Sequence, residues 1–524
     1  MKSRRHIARL LTVAGLAVAT VAIPVAPSTV HAAGLGPGGE FHPLKPQRIF
    51  DSRPASAVND PSPGAKPLGT GPAEFNIHLL GVGGIPSDPA AVLAVVVNFT
   101  VTEPGASGYL EAYGKGAKPV DRTSIVNFVA NQTVPNVAIV RPGQDGDLTI
   151  GLYGQSGTAN VLVDVFGWFS TSNYQPGVGT VDPGSRLIPV TPARLLDTRE
   201  GVGTANVIAP LGPKQTIELQ IRGADGVNPG PVIDAVPDSP TVTGVLLNVV
   251  GITDRAGGYY TYLSLLPDAP APGEDPTTSN LNLIPKTTKA NLVFVPIGAD
   301  GKVRIFNYQG QTDVVADVVG YLQSGADPNT RKGRVVPLTS PYRTLDTRSA
   351  REGGVALGPG QAEDWSFADF SSSVTIGTEQ VGKQLGVIGN LTSAELSRQY
   401  SSVAVASYLT AYPGDVAKPF TSNLNTVEGR LPIPNLAVLK YSTSNNIVRV
   451  YNNAGYDHYI FDAAAVVLDD SAQLHSRAPH GLIRALPAGT GPKSTTHPVE
   501  EPSMSASFAA RRDYRVADVS LAPF

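Results

Sequence analysis

The sequence predicts an all-β chain built from three tandem modules. The first observation is a hexapeptide that occurs three times at nearly even spacing: RIFDSR at 48–53, RLLDTR at 194–199 and RTLDTR at 343–348. The second is a high content of turn-forming residues, Gly 55 and Pro 46, which separate short apolar runs. Short β-branched runs bounded by Gly, Pro, Asn and Asp favour many strands joined by tight turns.

The repeat spacing and the length of 524 residues place the modules at 41–170, 187–323 and 335–469. Each module is long enough to bury a core of its own. The linkers at 171–186 and 324–334 are short and rich in Pro, Gly and Asp, which indicates a semi-rigid row or a compact cluster. A polar, proline-containing segment at 470–524 is predicted to be an irregular tail.

The N-terminal 33 residues have the pattern of a secretory signal peptide: basic residues, an apolar run at 10–23 and a small-residue cleavage site at 30–32. Pro24 and Pro27 end the apolar run early, which argues against a membrane anchor. A Gly/Pro-rich leader follows at 34–40; its G-x-G-x-x-G match contains Pro37 and follows no strand, so it does not indicate a dinucleotide site. We therefore predict a secreted or cell-surface protein with no membrane insertion after signal cleavage.

Six runs per module are predicted to be strands, and they recur in the same order. They lie at 92–101, 108–113, 124–129, 137–140, 148–153 and 161–169 in module 1; at 245–252, 258–266, 279–284, 291–295, 303–306 and 314–322 in module 2; and at 386–391, 403–412, 422–427, 435–439, 448–451 and 459–468 in module 3. Asp145-Gly146 and Asp300-Gly301 predict type I′ hairpin turns, and Asn445-Asn446 replaces them in module 3. The pattern favours an antiparallel, jelly-roll-like β-sandwich for each module.

Asp164 lies in VLVDVF, a run that is apolar at both alternating positions and is therefore expected to be buried on both faces. A buried carboxylate needs a partner, and a guanidinium binds it in a bidentate fork. We expect the first and last strands of each module to be neighbours, with Asp51 and Thr198-type hydroxyls binding local backbone in a turn. The predicted ion pairs are Arg53–Asp164, Arg199–Asp317 and Arg348–Asp462. A ligand site is the alternative for the repeated set, which comprises Arg48, Asp51, Arg53, Asp164, Arg194, Asp197, Arg199, Asp317, Arg343, Asp346, Arg348 and Asp462.

The repeated tyrosines could stack against sugar rings, although a strand tyrosine more often packs with its hydroxyl reaching water or backbone. The sequence aligns Tyr109, Tyr259 and Tyr408 as equivalents, and Tyr260 and Tyr262 share one strand face in module 2. These five residues are the candidates for glycan stacking.

The chain contains no cysteine, which excludes thiol catalysis and Cys-ligated metal sites. G-x-S-x-G, H-E-x-x-H and P-loop motifs are absent, and module 2 has no histidine. We assign no catalytic residue, cofactor or metal ligand, although a carboxylate pair for glycoside hydrolysis stays open. A mildly acidic chain (net charge −3) without long basic runs is not typical of nucleic-acid binders.

Module 2 combines the opening P-x-R-L-L-D-T-R with SNLN at 279–282, ANLV at 290–293, GADG at 298–301 and the closing DVVGY at 317–321. Together these motifs resemble a repeat of secreted actinobacterial surface proteins. Modules 1 and 3 keep part of this pattern; module 3 loses the closing Gly-Tyr. The resemblance implies an exported protein of a high-GC Gram-positive bacterium, in a family whose repeats stand alone or beside wall-active or hydrolytic domains.

The sequence therefore predicts a non-catalytic binding or adhesion protein, with carbohydrate or cell-envelope glycan as the expected ligand. A structural or assembly role, through self-association or protein partners, is the second hypothesis, and polysaccharide hydrolysis is the third. Binding predicts a recurring exposed polar and aromatic patch. Assembly predicts a large apolar surface, and hydrolysis predicts two facing carboxylates in a cleft.

Overall fold

The computed structural model describes residues 38–54, 64–69, 73–143, 145–171, 174, 184–228, 230–232, 234–253, 259–326, 330–349, 354–376, 379–395, 406–426 and 432–469. The signal peptide, most of the leader and the tail predicted from the sequence lie outside these residues and stay predictions. Within the described part the regular structure is β-strand apart from one six-residue helix, so the chain is all-β. No helix there has the length and apolarity needed to cross a lipid bilayer.

The strands fall into three groups that follow the three repeats. Module 1 contains β1 (Phe41–Asp51), β2 (Lys66–Pro67), β3 (Ala73–His78), β4 (Val92–Thr102), β5 (Gly108–Gly114), β6 (Val126–Phe128), β7 (Val134–Val140), β8 (Asp147–Gly154) and β9 (Thr158–Ser170). Module 2 contains β10 (Arg186–Asp197), β11 (Gln215–Gln220), β12 (Gly226–Asn228), β13 (Gly230–Val232), β14 (Val242–Ile252), β15 (Thr261–Leu266), β16 (Leu281–Leu283), β17 (Thr288–Pro296), β18 (Lys302–Asn307) and β19 (Asp313–Gln323). Module 3 contains β20 (Val335–Asp346), β21 (Ala362–Ser366), α1 (Ala368–Ser373), β22 (Thr375–Ile376), β23 (Glu379–Gln380), β24 (Gln384–Glu395), β25 (Ser407–Pro413), β26 (Leu424–Thr426), β27 (Ile433–Lys440), β28 (Ile447–Asn452) and β29 (His458–Leu468).

Each module is a sandwich of two antiparallel sheets with the strand order of a jelly roll. In module 1 the sheets run β1-β9-β4-β7 and β3-β8-β5-β6. Modules 2 and 3 repeat this order as β10-β19-β14-β17 with β11-β18-β15-β16, and β20-β29-β24-β27 with β21-β28-β25-β26. Two interleaved Greek keys of this kind define the jelly roll. We call the sheet that holds the first and last strands the inner sheet, and its partner the outer sheet.

The inner sheets are buried on both faces. One face packs on the outer sheet of the same module, giving three separate cores. The other face joins a central core to which all three modules contribute. Its members recur at equivalent positions in the three copies, for example Val96, Leu246 and Ile388, and also Ile139, Phe294 and Val438. Burial on both faces explains why these strands are apolar at both alternating positions.

The modules are arranged cyclically, and not as a row. The edge strands β7, β17 and β27 each contact the other two. At the start of the first strands, backbone hydrogen bonds repeat from one module to the next. They run from Phe41 N to Ser185 O (2.7 Å), from Leu187 N to Gly333 O (2.8 Å) and from Val335 N to Gly39 O (3.0 Å). The chain therefore closes on itself, with module 3 bound back to the residues that precede module 1.

The hairpin turns differ in type from the prediction for modules 1 and 2. Gly301 has φ +80° and Gly146 has φ +77°, but the aspartate before each glycine does not have positive φ. Gly301 N donates to Gly298 O, which indicates a type I turn followed by a left-handed glycine. In module 3 both Asn445 and Asn446 have positive φ.

Candidate functional site

The repeated arginines and aspartates form ion pairs, but the pairing predicted from the sequence is wrong. Arg48 stands directly opposite Asp164 in the β1–β9 register. Its Nε and one Nη donate to the two carboxylate oxygens at 2.9 and 3.2 Å. Arg343 binds Asp462 in the same bidentate way, at 2.9 and 3.1 Å. The first arginine of the motif, and not the last, therefore holds the buried aspartate.

The last arginine binds the aspartate two residues before it. Arg199 donates to both oxygens of Asp197, at 2.9 and 2.7 Å, and its backbone N–H also donates to Asp197. Burial alone would raise the pKa of Asp197, but these hydrogen bonds outweigh burial and lower it. Arg53–Asp51 and Arg348–Asp346 repeat the geometry. The predicted partners of Arg53, Arg199 and Arg348 were wrong because these residues lie beyond the strand ends, where the chain has turned away from the last strand.

Thr198 bonds across the sheet, and not within a turn as predicted. Its Oγ1 donates to Asp313 Oδ1 at 3.2 Å and accepts from Val314 N at 3.0 Å. The Asp51 prediction is correct, since its carboxylate accepts the backbone N–H of Arg53 at 3.0 Å.

The ion pairs also lie at the contacts between modules. Arg194 Nη2 donates to Phe420 O of module 3 at 2.8 Å, and Ser422 N donates to Asp317 Oδ2 at 3.4 Å. The neighbouring Asn248 bonds Ser422 O and accepts from Asn435 Nδ2 at 2.8 Å. The motif thus receives the β25–β26 loop of the next module.

The same arrangement of asparagines, which we call the asparagine latch, joins modules 3 and 1. There Asn390 donates to Ser124 O at 2.5 Å and accepts from Asn136 Nδ2 at 2.9 Å. The contact between modules 2 and 1 differs. There Asn98 Oδ1 and Asn291 Oδ1 are buried without a hydrogen-bond partner among the described residues. Two of the three contacts therefore carry the asparagine latch.

The tyrosines lie on the side of each outer sheet that faces away from the module core. The register corrects one predicted equivalence: Tyr109, Tyr262 and Tyr408 each stand opposite an asparagine on the short next strand. Tyr262, and not Tyr259, is therefore the module 2 equivalent. Each of the three also packs near a second tyrosine. The ring pairs are Tyr109–Tyr153 (4.7 Å, stacked), Tyr262–Tyr308 (4.7 Å, stacked) and Tyr408–Tyr451 (6.2 Å, tilted). We call these surfaces the tyrosine faces.

A lysine ammonium lies on or beside the tyrosine face of each module. In module 2 Lys214 Nζ is 3.7 Å from the ring centre of Tyr308, and in module 3 Lys418 Nζ is 4.5 Å from that of Tyr451. In module 1 Lys118 Nζ donates to Glu74 Oε1 at 2.6 Å, which raises the pKa of Lys118. A cation over a tyrosine ring is attracted by the negative face of the ring.

Module 2 adds two tyrosines that sequence reasoning placed in a strand. Tyr259 and Tyr260 precede β15 and are 50% and 74% exposed. Tyr259 lies against Gly310, where a Cβ atom would come within 2.4 Å of its ring. Only a glycine at this position leaves room for the ring of Tyr259.

Module 1 places two carboxylates on either side of one glycine. Glu74 and Glu111 both stand opposite Gly151, on neighbouring strands. Burial raises the pKa of Glu111, and hydrogen bonds from Lys118 and Tyr113 lower that of Glu74. Glu111 is 2% exposed and accepts hydrogen bonds from Thr123, whereas Glu74 is exposed and is bound by Lys118 and Tyr113. The two carboxylates therefore do not face each other across an open cleft. Nothing in the motif pattern pointed to this pair.

No protein-family model and no curated protein matches the sequence. Among solved structures, the chain is similar to one from "The Triple Jelly Roll Fold and Turret Assembly in an Archaeal Virus", with 10% identity and a TM-score of 0.16 over 82% of this chain and 90% of that chain. A chain of Sulfolobus Turreted Icosahedral Virus gives 10% identity and 0.16 over 82% and 92%. The CBM22-1-CBM22-2 tandem domain of Paenibacillus barcinonensis Xyn10C gives 10% and 0.14 over 55% and 97%. At these TM-scores the likeness adds nothing to the strand order described above.

Proposed function

We propose that this chain is an exported, non-catalytic glycan-binding protein that acts at or outside the cell surface through the tyrosine faces of modules 2 and 3. The observation that carries the proposal is the aromatic surface of module 2. Tyr260, at 74% exposure, and Tyr259, at 50%, immediately precede β15, the strand that carries Tyr262 of the stacked pair Tyr262 and Tyr308.

Aromatic rings favour sugar binding because one side of a pyranose ring is apolar while its hydroxyls need polar partners. Tyrosine provides both, since it has an apolar ring and a polar hydroxyl at its tip. In module 2 the ring of Tyr259 packs over Gly310, and this contact reduces the freedom that the side chain loses when a ligand binds. Polar side chains stand next to the rings; Lys214, for example, binds Asp275 at 2.5 Å.

The alternative is a structural role, in which the chain associates with itself or with protein partners. It requires a large exposed apolar surface, and the apolar faces of the inner sheets are packed against one another in the central core. The exposed large hydrophobic residues among those described are scattered over the modules, for example Val120, Val207 and Val355. This distribution favours glycan binding over assembly through an apolar face.

The test is a glycan array and a pull-down with insoluble cell-wall polysaccharide, using the exported chain and light scattering on the same sample. The double variant Tyr259→Ala/Tyr260→Ala should lose at least tenfold in affinity. Tyr342→Ala is the matched control, because Tyr342 is 55% exposed in module 3 but lies on Phe370, away from the tyrosine face.

Saturable binding by a monomer that the double variant weakens, and the control does not, would support the proposal. Absence of glycan binding by a stable oligomer would overturn it in favour of assembly. Release of reducing ends from a bound polysaccharide would overturn its non-catalytic part and direct attention to Glu74 and Glu111.

A further inference from the structure

The tyrosine faces differ in the partners of the lysine beside them, and this difference indicates the chemistry of a ligand. In modules 1 and 2 the lysine beside the face has a carboxylate partner. Lys118 Nζ lies 2.6 Å from Glu74 Oε1, and Lys214 Nζ lies 2.5 Å from Asp275 Oδ2. Both ammonium groups are therefore neutralised within their own module.

Lys418 of module 3 has no carboxylate partner among the described residues. The hydrogen bond of its ammonium goes to the carbonyl oxygen of Pro419 at 3.4 Å, and the group lies over Tyr451. The side chain is partly buried, and burial lowers its pKa. An ammonium group held in this position gains from any anion that can reach it.

The sequence accounts for the missing partner. Lys118 and Lys418 occupy the same Ala-Lys-Pro segment, in the loops β5–β6 and β25–β26. Glu74 stands opposite Gly151 on the neighbouring strand, and the residue in the equivalent register opposite Tyr451 is Ala362. Module 3 has therefore replaced the carboxylate of module 1 by a methyl group.

The space beside Ala362 is open. Ala362 itself is exposed, and a Cβ atom at Gly360, two residues earlier, would meet no atom within 4 Å. The next ion pair along the strand, Arg449–Asp364, is complete at 2.6 Å and does not compete for Lys418. A group from outside the chain can thus occupy the position that Glu74 fills in module 1.

We propose that the tyrosine face of module 3 binds a glycan that carries carboxylate groups, with a uronate carboxylate paired to Lys418 and the sugar ring against Tyr408 and Tyr451. This inference rests on the proposed function and specifies the ligand of one of its faces. The rings favour a sugar over a flexible acidic polypeptide, because a planar aromatic ring buries the most apolar area against a ligand that has an extended apolar face.

The test uses the exported chain and polygalacturonate as the probe, with dextran as the neutral probe, measured by calorimetry or biolayer interferometry. Lys418→Gln should weaken polygalacturonate binding at least tenfold. Lys118→Gln is the matched control and should change it less than twofold, because that ammonium is already paired. High salt should weaken binding to the unaltered chain and have little effect on the residual binding of Lys418→Gln.

Ala362→Glu is the more discriminating variant. It restores the carboxylate of module 1 at the equivalent position and leaves Lys418, Tyr408 and Tyr451 unchanged. We expect it to abolish polygalacturonate binding without lowering the melting temperature. Polygalacturonate binding that survives both Ala362→Glu and Lys418→Gln would overturn the inference, and polyglutamate binding of equal affinity would overturn the assignment to a glycan.

The failure of this inference can be told apart from the failure of the proposed function. If neutral glycans bind and the Tyr259→Ala/Tyr260→Ala variant abolishes that binding, the proposed function stands whatever polygalacturonate does. If polygalacturonate then shows no binding, the uronate assignment for module 3 alone is overturned.

Discussion

Arg194 of module 2 holds three partners at once: Asp317 of its own last strand, at 3.0 Å from Nε, Asp197 of its own motif, at 3.1 Å from Nη1, and the carbonyl oxygen of Phe420 in module 3, at 2.8 Å from Nη2. The most conspicuous motif of the sequence therefore stabilises the module and the contact with its neighbour together.

Asp317→Ala should lower the free energy of unfolding by about 1–3 kcal/mol, because it leaves the donors Arg194 Nε and Ser422 N without their acceptor, while Asp197 still neutralises the guanidinium. A double-mutant cycle should show coupling between Asp317 and Arg194. Arg199→Ala is the matched control; it should couple to Asp197 and not to Asp317. Thermal denaturation of the full chain measures each variant, and stronger coupling of Asp317 to Arg199 than to Arg194 would contradict the assignment.

The central core should make the three modules unfold together. Phe294 is 3% exposed in module 2 and packs in that core against Phe41 of module 1, at 5.6 Å between ring centres. Phe294→Ala should destabilise by about 3–5 kcal/mol through loss of burial and the cavity left behind. In a Trp365→Phe background, Trp168 reports on module 1, and its unfolding midpoint should fall with that of the whole chain. Val207→Ala, at an exposed site of module 2, should leave the midpoint in place. An unchanged Trp168 midpoint in Phe294→Ala would show that the modules unfold independently.

Asp457 should make stability depend on pH in the neutral range. Burial raises its pKa to about 7, and a hydrogen bond from Ser393 offsets part of the shift. Because the folded-state pKa lies above the unfolded value, the stabilising effect of the bound proton is fully present below about pH 4 and is lost as the pH rises through about 7.

Asp457→Asn should therefore raise the melting temperature at pH 8, and the gain should shrink towards pH 4. Asp415→Asn is a control of opposite sign: hydrogen bonds from Thr443 lower the pKa of Asp415, so this variant should be neutral or destabilising at pH 8. Equal melting temperatures of Asp457→Asn and the unaltered chain across this range would contradict the shift.

The asparagine latches predict unequal contacts between modules. Asn435 donates to Asn248 and Asn423 and accepts from Leu292 N, whereas Asn291 donates to Asn280 O and its Oδ1 has no partner among the described residues. Asn435→Ala should cost about 1–3 kcal/mol more than Asn291→Ala, since it leaves more buried groups unpaired. Amide exchange should also be faster at the contact of modules 1 and 2 than at the two latched contacts. Equal losses for the two variants would contradict this asymmetry.

Sequence reasoning recovered the strands that carry apolar, β-branched runs, and it placed the first and last strands of each module side by side. It missed the second strand of each sandwich, β3, β11 and β21, because these are short outer-sheet strands with mostly polar or partly exposed residues. Their pattern resembles a polar connection, and only the pairing with β8, β18 and β28 makes them strands.

The errors at the candidate site have similar causes. The choice between Arg48 and Arg53 depends on where the strand ends, which is among the least reliable features of a sequence-based prediction. The tyrosine equivalence could have been found from the residue that follows, since Tyr109, Tyr262 and Tyr408 each precede a buried leucine whereas Tyr259 does not. The central core could not have been predicted, because an inner strand that is apolar at both alternating positions does not reveal which surface covers its second face.

The backbone hydrogen bonds between Val335 of module 3 and Gly39, before module 1, limit the number of modules that this architecture can hold. In an open tandem array, copies can be gained or lost at either end because each contacts its neighbours in line. Here the third copy completes a circuit that begins with the first, and the apolar face of every inner sheet is covered by the other two copies. A chain with two copies would expose that face to water, and a fourth copy would find no vacant position, so the geometry fixes the copy number at three.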